Sequence, residues 1–188
     1  IHLVTQSEWD QAVVVRPDVG RLTGPDAGVG RLPDPAELFA VAVSVLEDPG
    51  TAVRAASQDM AGLKVVVSAG GTREPLDPVR FLGNSSSGLM GWALARAAVL
   101  RGADVRLVAA NVGLPAPPGA EVEPVGSTAD LAQAMAVAAK DADIAVMAAA
   151  PADFTPATPS QTKIKKMADG GLELTLVQTI DVLASLVQ

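Results

Sequence analysis

A chain of 188 residues with 49% hydrophobic and 19% charged residues has enough apolar material for a packed core, which excludes a disordered tail. Cysteine is absent and His2 is the single histidine, so disulfides, a Cys nucleophile and thiolate metal sites are ruled out, and a Ser-His-Asp triad or multi-histidine zinc centre is disfavoured. A net charge of −7 argues against broad capture of nucleic acid, so an anionic ligand needs a local site.

Residues 1–62 are rich in Gly, Pro and Asp from Pro17 to Pro35, read as irregular, and then periodic from Ala36 to Leu46. Asp34 as N-cap with Pro35 at the first helical position marks a helix start there. Lys64-Val65-Val66-Val67-Ser68 reads as a buried strand running into a turn at Ala69-Gly70-Gly71. The periodicity predicts a helix from Ser87 to Arg101, stopped by Gly102, and a second strand over Asp104 to Ala109. Ser127-Thr128 caps a helix over Ala129 to Lys140, and Ile144 to Ala149 is a third apolar strand. Alternating strands and helices at this spacing predict an α/β, Rossmann-like, doubly wound and mostly parallel sheet. The alternation Leu172 to Val177 predicts a half-exposed antiparallel or edge strand, and Asp181 opens a final helix.

The longest apolar stretch, Ile144 to Ala152, is about half a membrane span and contains Pro151. No signal peptide is legible, so the expected location is cytoplasmic, with no membrane partner. Beginning at Ile1 and ending at Gln188 inside a helical pattern, the chain reads as a piece of a longer protein.

Chemistry is expected in four places. A long loop, Arg73 to Asn84, follows the first strand at the carboxyl end of the sheet, where ligands bind in open α/β folds, the alternative being a plain surface connection. Ser86-Ser87-Gly88 opens a helix, offering hydroxyls and free amides to a phosphate, although a plain serine cap has the same composition. Ala148-Ala149-Ala150-Pro151-Ala152-Asp153-Phe154 ends the third strand: small residues admit a ligand, Asp153 offers oxygen to Mg2+, and Phe154 offers a ring face, although an ordinary strand end with a capping Asp has the same composition. Lys163, Lys165 and Lys166 form a basic cluster, either a solvated face or a neutraliser of phosphate charge.

The ordered series from Ser68 through Gly71, Arg80, Asn84, Ser86-Ser87-Gly88 and Met90-Gly91 closely resembles phosphopantothenoylcysteine synthetase of coenzyme A biosynthesis. Val146 to Phe154, Lys163 to Lys166 and Asp181 to Ala184 continue the resemblance, which covers residues 63–188. Residues 1–62 resemble the tail of the flavin-dependent decarboxylase fused to that synthetase in bacteria, with Gly20 to Gly24 and Gly28 to Leu32 similar to its substrate clamp. The resemblance implies a two-step ligase in which CTP, with Mg2+, activates the carboxylate of 4′-phosphopantothenate as an acyl-cytidylate, which cysteine then converts to an amide. It assigns catalysis to Arg80, Asn84 and Lys163, with Asn84 holding the acyl intermediate. Nucleotide contacts fall to Gly70, Gly71, Ser86, Ser87, Gly88, Ala149, Asp153, Phe154, Lys163, Ile180, Asp181, Val182 and Leu183, and the metal to Asp153. FMN is implied for the decarboxylase of the parent protein, most of which lies outside this chain. A homodimer of the ligase domain, with a larger homo-oligomer through the decarboxylase, is also implied.

The sequence departs from the family's pattern at Ser85 and Leu89, where basic residues are usual, at Thr23 in place of the clamp Cys, and at Pro151 and Ile180 in place of a usual Val and Pro. These departures keep open a catalytically weakened nucleotide-binding relative. A nicotinamide-dependent oxidoreductase is disfavoured, because no third glycine arrives at fingerprint spacing and no acidic residue soon follows the second strand.

Overall fold

The structure is a computed structural model and describes residues 18–21, 27–32, 35–47, 50, 58–166 and 170–187. Its centre is a four-stranded parallel sheet in the order β7-β6-β3-β8. β3 (Lys64–Gly70) pairs with β6 (Asp104–Ala110) on one side and with β8 (Ile144–Met147) on the other, and β6 pairs with β7 (Ala120–Val125). The Val65-Val66-Val67 run is buried because both faces of β3 are covered, as β-branched runs in parallel sheets require.

Helix α2 (Leu89–Leu100) covers one face, where Ala95, Ala98 and Val99 pack on Val65, Val67, Ala69, Val105 and Leu107. Helix α3 (Thr128–Ala138), continued by a 3-10 turn at Ala139–Asp141, covers the other with α4 (Val182–Leu186). Leu131, Met135 and Val182 close that second core over Val66 and Val108. The predicted Ser127 cap is present as a full capping box with Asp130, and Asp181 caps α4 by accepting from the Ala184 amide at 2.9 Å. The chain winds from β3 towards β6 and β7, then returns to β8 on the opposite side. The carboxyl ends of β3 and β8 therefore form the topological switch point, where ligands lodge in such sheets.

Helix α1 (Pro35–Glu47) begins at the predicted Pro35. The expectation of irregular structure from Pro17 to Pro35 is corrected: β1 (Asp18–Arg21) and β2 (Ala27–Arg31) pair antiparallel. Thr23, the residue at the expected clamp Cys position, lies outside the described residues. The loop expected over Arg73 to Asn84 is instead an antiparallel hairpin of β4 (Arg73–Asp77) and β5 (Arg80–Gly83). Two prolines hid it, yet Pro75 is tolerated because the ribbon has only two strands and an irregular register between Pro75 and Asp77.

β7 was not anticipated, because no helix separates it from β6. The alternation of Leu172 to Val177 yields only β10 (Leu176–Gln178), antiparallel to β9 (Phe154–Pro156). The partner strand is three residues long, and although the Ala157 amide still donates to the Thr175 carbonyl at 2.9 Å, this reaches only the end of the alternating run. Among the described residues, no helix is long and apolar enough to cross a membrane.

Candidate functional site

Fully buried Ser68 organises the switch point from inside β3. Its hydroxyl oxygen accepts from the amides of Ala148 and Ala149, both at 3.1 Å, and so bends the chain after β8 over the end of β3. The Ala150 amide donates to the Gly70 carbonyl at 2.7 Å, and the Ala152 amide donates to the Thr72 hydroxyl at 2.8 Å. Residues 148–152 thus extend β8 as a lip whose alanines leave the backbone approachable.

Three glycines converge behind this lip. A Cβ on Gly70 (φ +85°) would sit 2.1 Å from the Ala110 carbonyl oxygen. One on Gly88 (φ +77°) would meet Val112 at 2.7 Å and approach the Gly70 nitrogen at 3.5 Å. One on Gly91 would meet the Ala69 Cβ at 2.4 Å, so this glycine sets how closely α2 packs on β3. The arrangement is a glycine fingerprint in space, split in sequence by the β4–β5 hairpin, which explains why linear spacing missed its third member. Gly88 is the N-cap of α2 and supplies no side-chain cap. The Ser86 and Ser87 hydroxyls accept at 3.3 and 3.4 Å from the amides of Gly88 and Leu89, and the first turn of a helix, with the dipole behind it, suits a negative charge.

The hairpin's base reaches the lip. Asn84 Nδ2 donates to the Pro151 carbonyl at 2.8 Å, an orientation fixed because a carbonyl only accepts. The second amide hydrogen and Oδ1 of this exposed side chain remain for a ligand. On the other side of the lip opens a cleft of about 430 Å³. Ala149, Asp153, Phe154, Ile180, Asp181, Val182 and Leu183 all line it, joined by Pro151. The structure therefore brings together seven of the residues singled out for nucleotide contact, while Gly70, Gly71, Ser86, Ser87 and Gly88 form the cradle and Asn84 links the two.

Arg80 sits at the tip of the hairpin, and its Nη1 donates to Asp77 Oδ2 at 2.7 Å and to the Ile164 carbonyl at 3.0 Å. Lys163 precedes that carbonyl in the chain and is exposed. Two polar groups the sequence did not flag anchor this region. Buried Glu74 accepts from the Thr128 amide and hydroxyl at 2.8 and 2.9 Å, docking β4 on the start of α3.

Asp77, also buried, accepts from the amides of Val79, Arg80 and Ile164. Burial pushes its carboxyl up, but those three amides and the Arg80 guanidinium together outweigh it and hold the pKa below the ordinary carboxylate value. A depressed pKa means that the contribution is full above the unfolded value and disappears as pH falls through the lower folded one. The melting-temperature gap between wild type and Asp77→Asn is therefore expected to stay constant from neutrality to about pH 5 and to close below about pH 4. A gap undiminished at pH 3 would show that the ionised carboxylate contributes nothing.

Asp153 and Asp181 are the carboxylates of the cleft, and among the described residues no cluster of three or more acidic or histidine ligands exists. This donor set does not fit a resident metal. It does fit Mg2+ arriving on a nucleotide, which needs one or two carboxylates besides the phosphates.

The family model of the DNA/pantothenate metabolism flavoprotein C-terminal domain matches residues 60–188. The chain is 51% identical over 178 residues to the coenzyme A biosynthesis bifunctional protein CoaBC of Mycolicibacterium smegmatis, covering 94% of this chain and 42% of that protein. It is 42% identical over 173 residues to CoaBC of Bacillus subtilis, covering 92% and 41% respectively. The chain thus spans less than half the length of these relatives. A crystal structure of the C-terminal domain of a CoaBC protein superposes with a TM-score of 0.60 at 34% identity, covering 69% of this chain and 60% of that one.

Proposed function

Since the chain belongs to the family of the DNA/pantothenate metabolism flavoprotein C-terminal domain, we propose that it works in coenzyme A biosynthesis as a CTP-dependent phosphopantothenate–cysteine ligase. The observation that carries this reading is the junction of two half-sites: a glycine cradle suited to phosphate and a 430 Å³ cleft suited to a nucleoside, joined by Asn84 at Pro151.

In the first step a carboxylate oxygen of 4′-phosphopantothenate bonds to the α-phosphorus of CTP, and the bond to the β-phosphate breaks, releasing pyrophosphate. In the second, the cysteine amine bonds to the acyl carbon, the acyl–oxygen bond breaks, CMP leaves and the amine proton passes to solvent. Gly70, Gly71, Ser86, Ser87 and Gly88 hold phosphate oxygens through backbone amides and hydroxyls. Phe154 presents its half-exposed ring to the base, and Ala149 and residues 180–183 enclose the nucleoside. Asp153 would hold the Mg2+ carried by CTP, which supplies charge neutralisation at the phosphates. Asn84 orients the acyl carbonyl, and Lys163 stabilises negative charge on the phosphate that leaves with CMP. Arg80 supports this set from the hairpin tip.

An oxidoreductase reading gains the third glycine but not the ribose carboxylate: Asn111 follows β6, with its Nδ2 donated to the carbonyls of Gly71 and Gly126.

The domain division at residues 62 and 63 belongs to the same proposal, with residues 1–62 as the tail of a decarboxylase. FMN and the decarboxylation of phosphopantothenoylcysteine belong to that part of the parent protein, and no step here is routed through the flavin. Exposed apolar side chains at Val79, Phe81, Met90 and Leu94 support a homodimer of the ligase domain. The test of the reading is mass spectrometry of the chain incubated with CTP, Mg2+ and phosphopantothenate without cysteine. A product with the mass of the mixed anhydride is expected; pyrophosphate-free mixtures containing only starting materials would reject it.

A further inference from the structure

The hairpin tip holds the lysine segment by its backbone at both sides of one residue. Asp77 Oδ2 accepts from the Ile164 amide at 3.0 Å, and Arg80 Nη1 donates to the Ile164 carbonyl at 3.0 Å. The two side chains are themselves joined, Arg80 Nη1 to Asp77 Oδ2 at 2.7 Å, with the Asp77 side chain fully shielded from solvent. Further upstream, the Ser160 amide donates to the Leu76 carbonyl at 2.9 Å, so β4 guides the segment before the clamp as well.

Asp77 divides its work between its two oxygens. Oδ1 accepts from the Val79 and Arg80 amides and shapes the hairpin turn, as short acidic side chains do, whereas Oδ2, among the described residues, accepts from Arg80 Nη1 and the Ile164 amide. A turn needs the first oxygen alone. The second connects the turn to a segment more than eighty residues further on, immediately beside Lys163.

We propose that Asp77 and Arg80 are positioning residues for Lys163, clamping Ile164 so that the lysine projects from a fixed point of the backbone. The inference rests on the ligase reading, in which Lys163 meets a phosphate, and it gives Arg80 a role through the lysine rather than at the reacting atoms. A long lysine side chain has many rotamers, and a fixed backbone is what limits the positions its ammonium group can reach. Both contacts leave from one nitrogen, Nη1, whose two hydrogens lie in the fixed plane of the guanidinium, and the rotating ammonium of a lysine offers no such fixed pair.

Asp77→Asn tests the clamp selectively, because the amide can keep its oxygen on the turn while its NH2 replaces Oδ2 against the Ile164 amide. The full chain, Asp77→Asn, Arg80→Lys, Lys163→Gln and Asp77→Asn/Lys163→Gln are compared in amide formation and in trypsin cleavage after Lys163 and Lys165. The expected result is a fall in kcat of about tenfold for Asp77→Asn with KM for CTP changed less than about twofold, and less than about twofold of further loss when Lys163→Gln is added to it. Trypsin cleavage of the folded variant is expected to accelerate by a similar factor. Arg80→Lys gives the same kinetic split, and it carries the test if Asp77→Asn does not fold. Unchanged kcat, or losses that multiply fully in the double variant, would overturn the proposal. If wild type forms no amide at all, the ligase reading fails and the positioning role with it, whereas the cleavage rates still decide whether the clamp exists.

Discussion

Asn84→Asp is expected to separate the two half-reactions: pyrophosphate release from CTP and phosphopantothenate continues, while amide formation falls by about 10² or more. The neutral amide is required by its surroundings. Nδ2 donates to the Pro151 carbonyl at 2.8 Å, so an aspartate would place a carboxylate oxygen against a carbonyl oxygen. It would also set a negative charge beside an acyl carbonyl that must gain electron density when the amine attacks. Activation at the phosphorus depends instead on the cradle of Gly70 and Ser86 to Gly88, which the substitution leaves intact. Quantifying pyrophosphate, mixed anhydride and amide in one time course gives the answer. Equal losses in both steps would place Asn84 in nucleotide binding, and wild-type amide formation would remove it from the mechanism.

The sheet was legible wherever one residue's environment follows from its immediate neighbours. Val65-Val66-Val67 announces a strand covered on both faces, and Ser127 with Asp130 three residues later announces the start of α3. The final helix was equally visible in Asp181, whose side chain caps it. What stayed hidden depends on partners far along the chain. Arg73 to Asn84 reads as a stiff loop because Pro75 and Pro78 suppress the strand signal, and only pairing across the turn makes it a ribbon. Gly91 carries no mark of its role until α2 is laid on Ala69.

The candidate site divides along the same line. Seven residues from two distant segments line one cleft: the composition of the strand end suggested Ala149, Asp153 and Phe154, whereas only the resemblance suggested a ligand contact for residues 180–183. Asp77 was invisible as a functional residue because its decisive partner, the amide of Ile164, has no sequence signature of its own. Backbone groups are the same at every position, so side chain to backbone clamps are readable only in three dimensions.

The largest expected effect on folding is that of Gly70→Ala. Gly70 stands at φ +85°, where an L-residue is strained by about 1–2 kcal/mol. An added Cβ would also lie 2.1 Å from the Ala110 carbonyl oxygen and 2.4 Å from Val112 Cγ2. Neither neighbour yields easily: Ala110 is the fully buried end of β6, and Val112 is also in close contact with Gly88. Overpacking of this kind costs about 1–3 kcal/mol beyond the backbone strain, a large share of a typical domain's stability. Gly62 supplies the control, because its φ of +83° is nearly the same while nothing lies within 4 Å of its missing Cβ. Gly62→Ala should therefore report the backbone strain alone, and Gly70→Ala the strain plus the collision. In urea titrations the Gly70 variant is expected to lose at least about twice the free energy lost by the Gly62 variant. Equal losses would mean that β3, β6 and the start of α2 do not meet as closely at the switch point as described, and the phosphate cradle built on that contact would lose its basis.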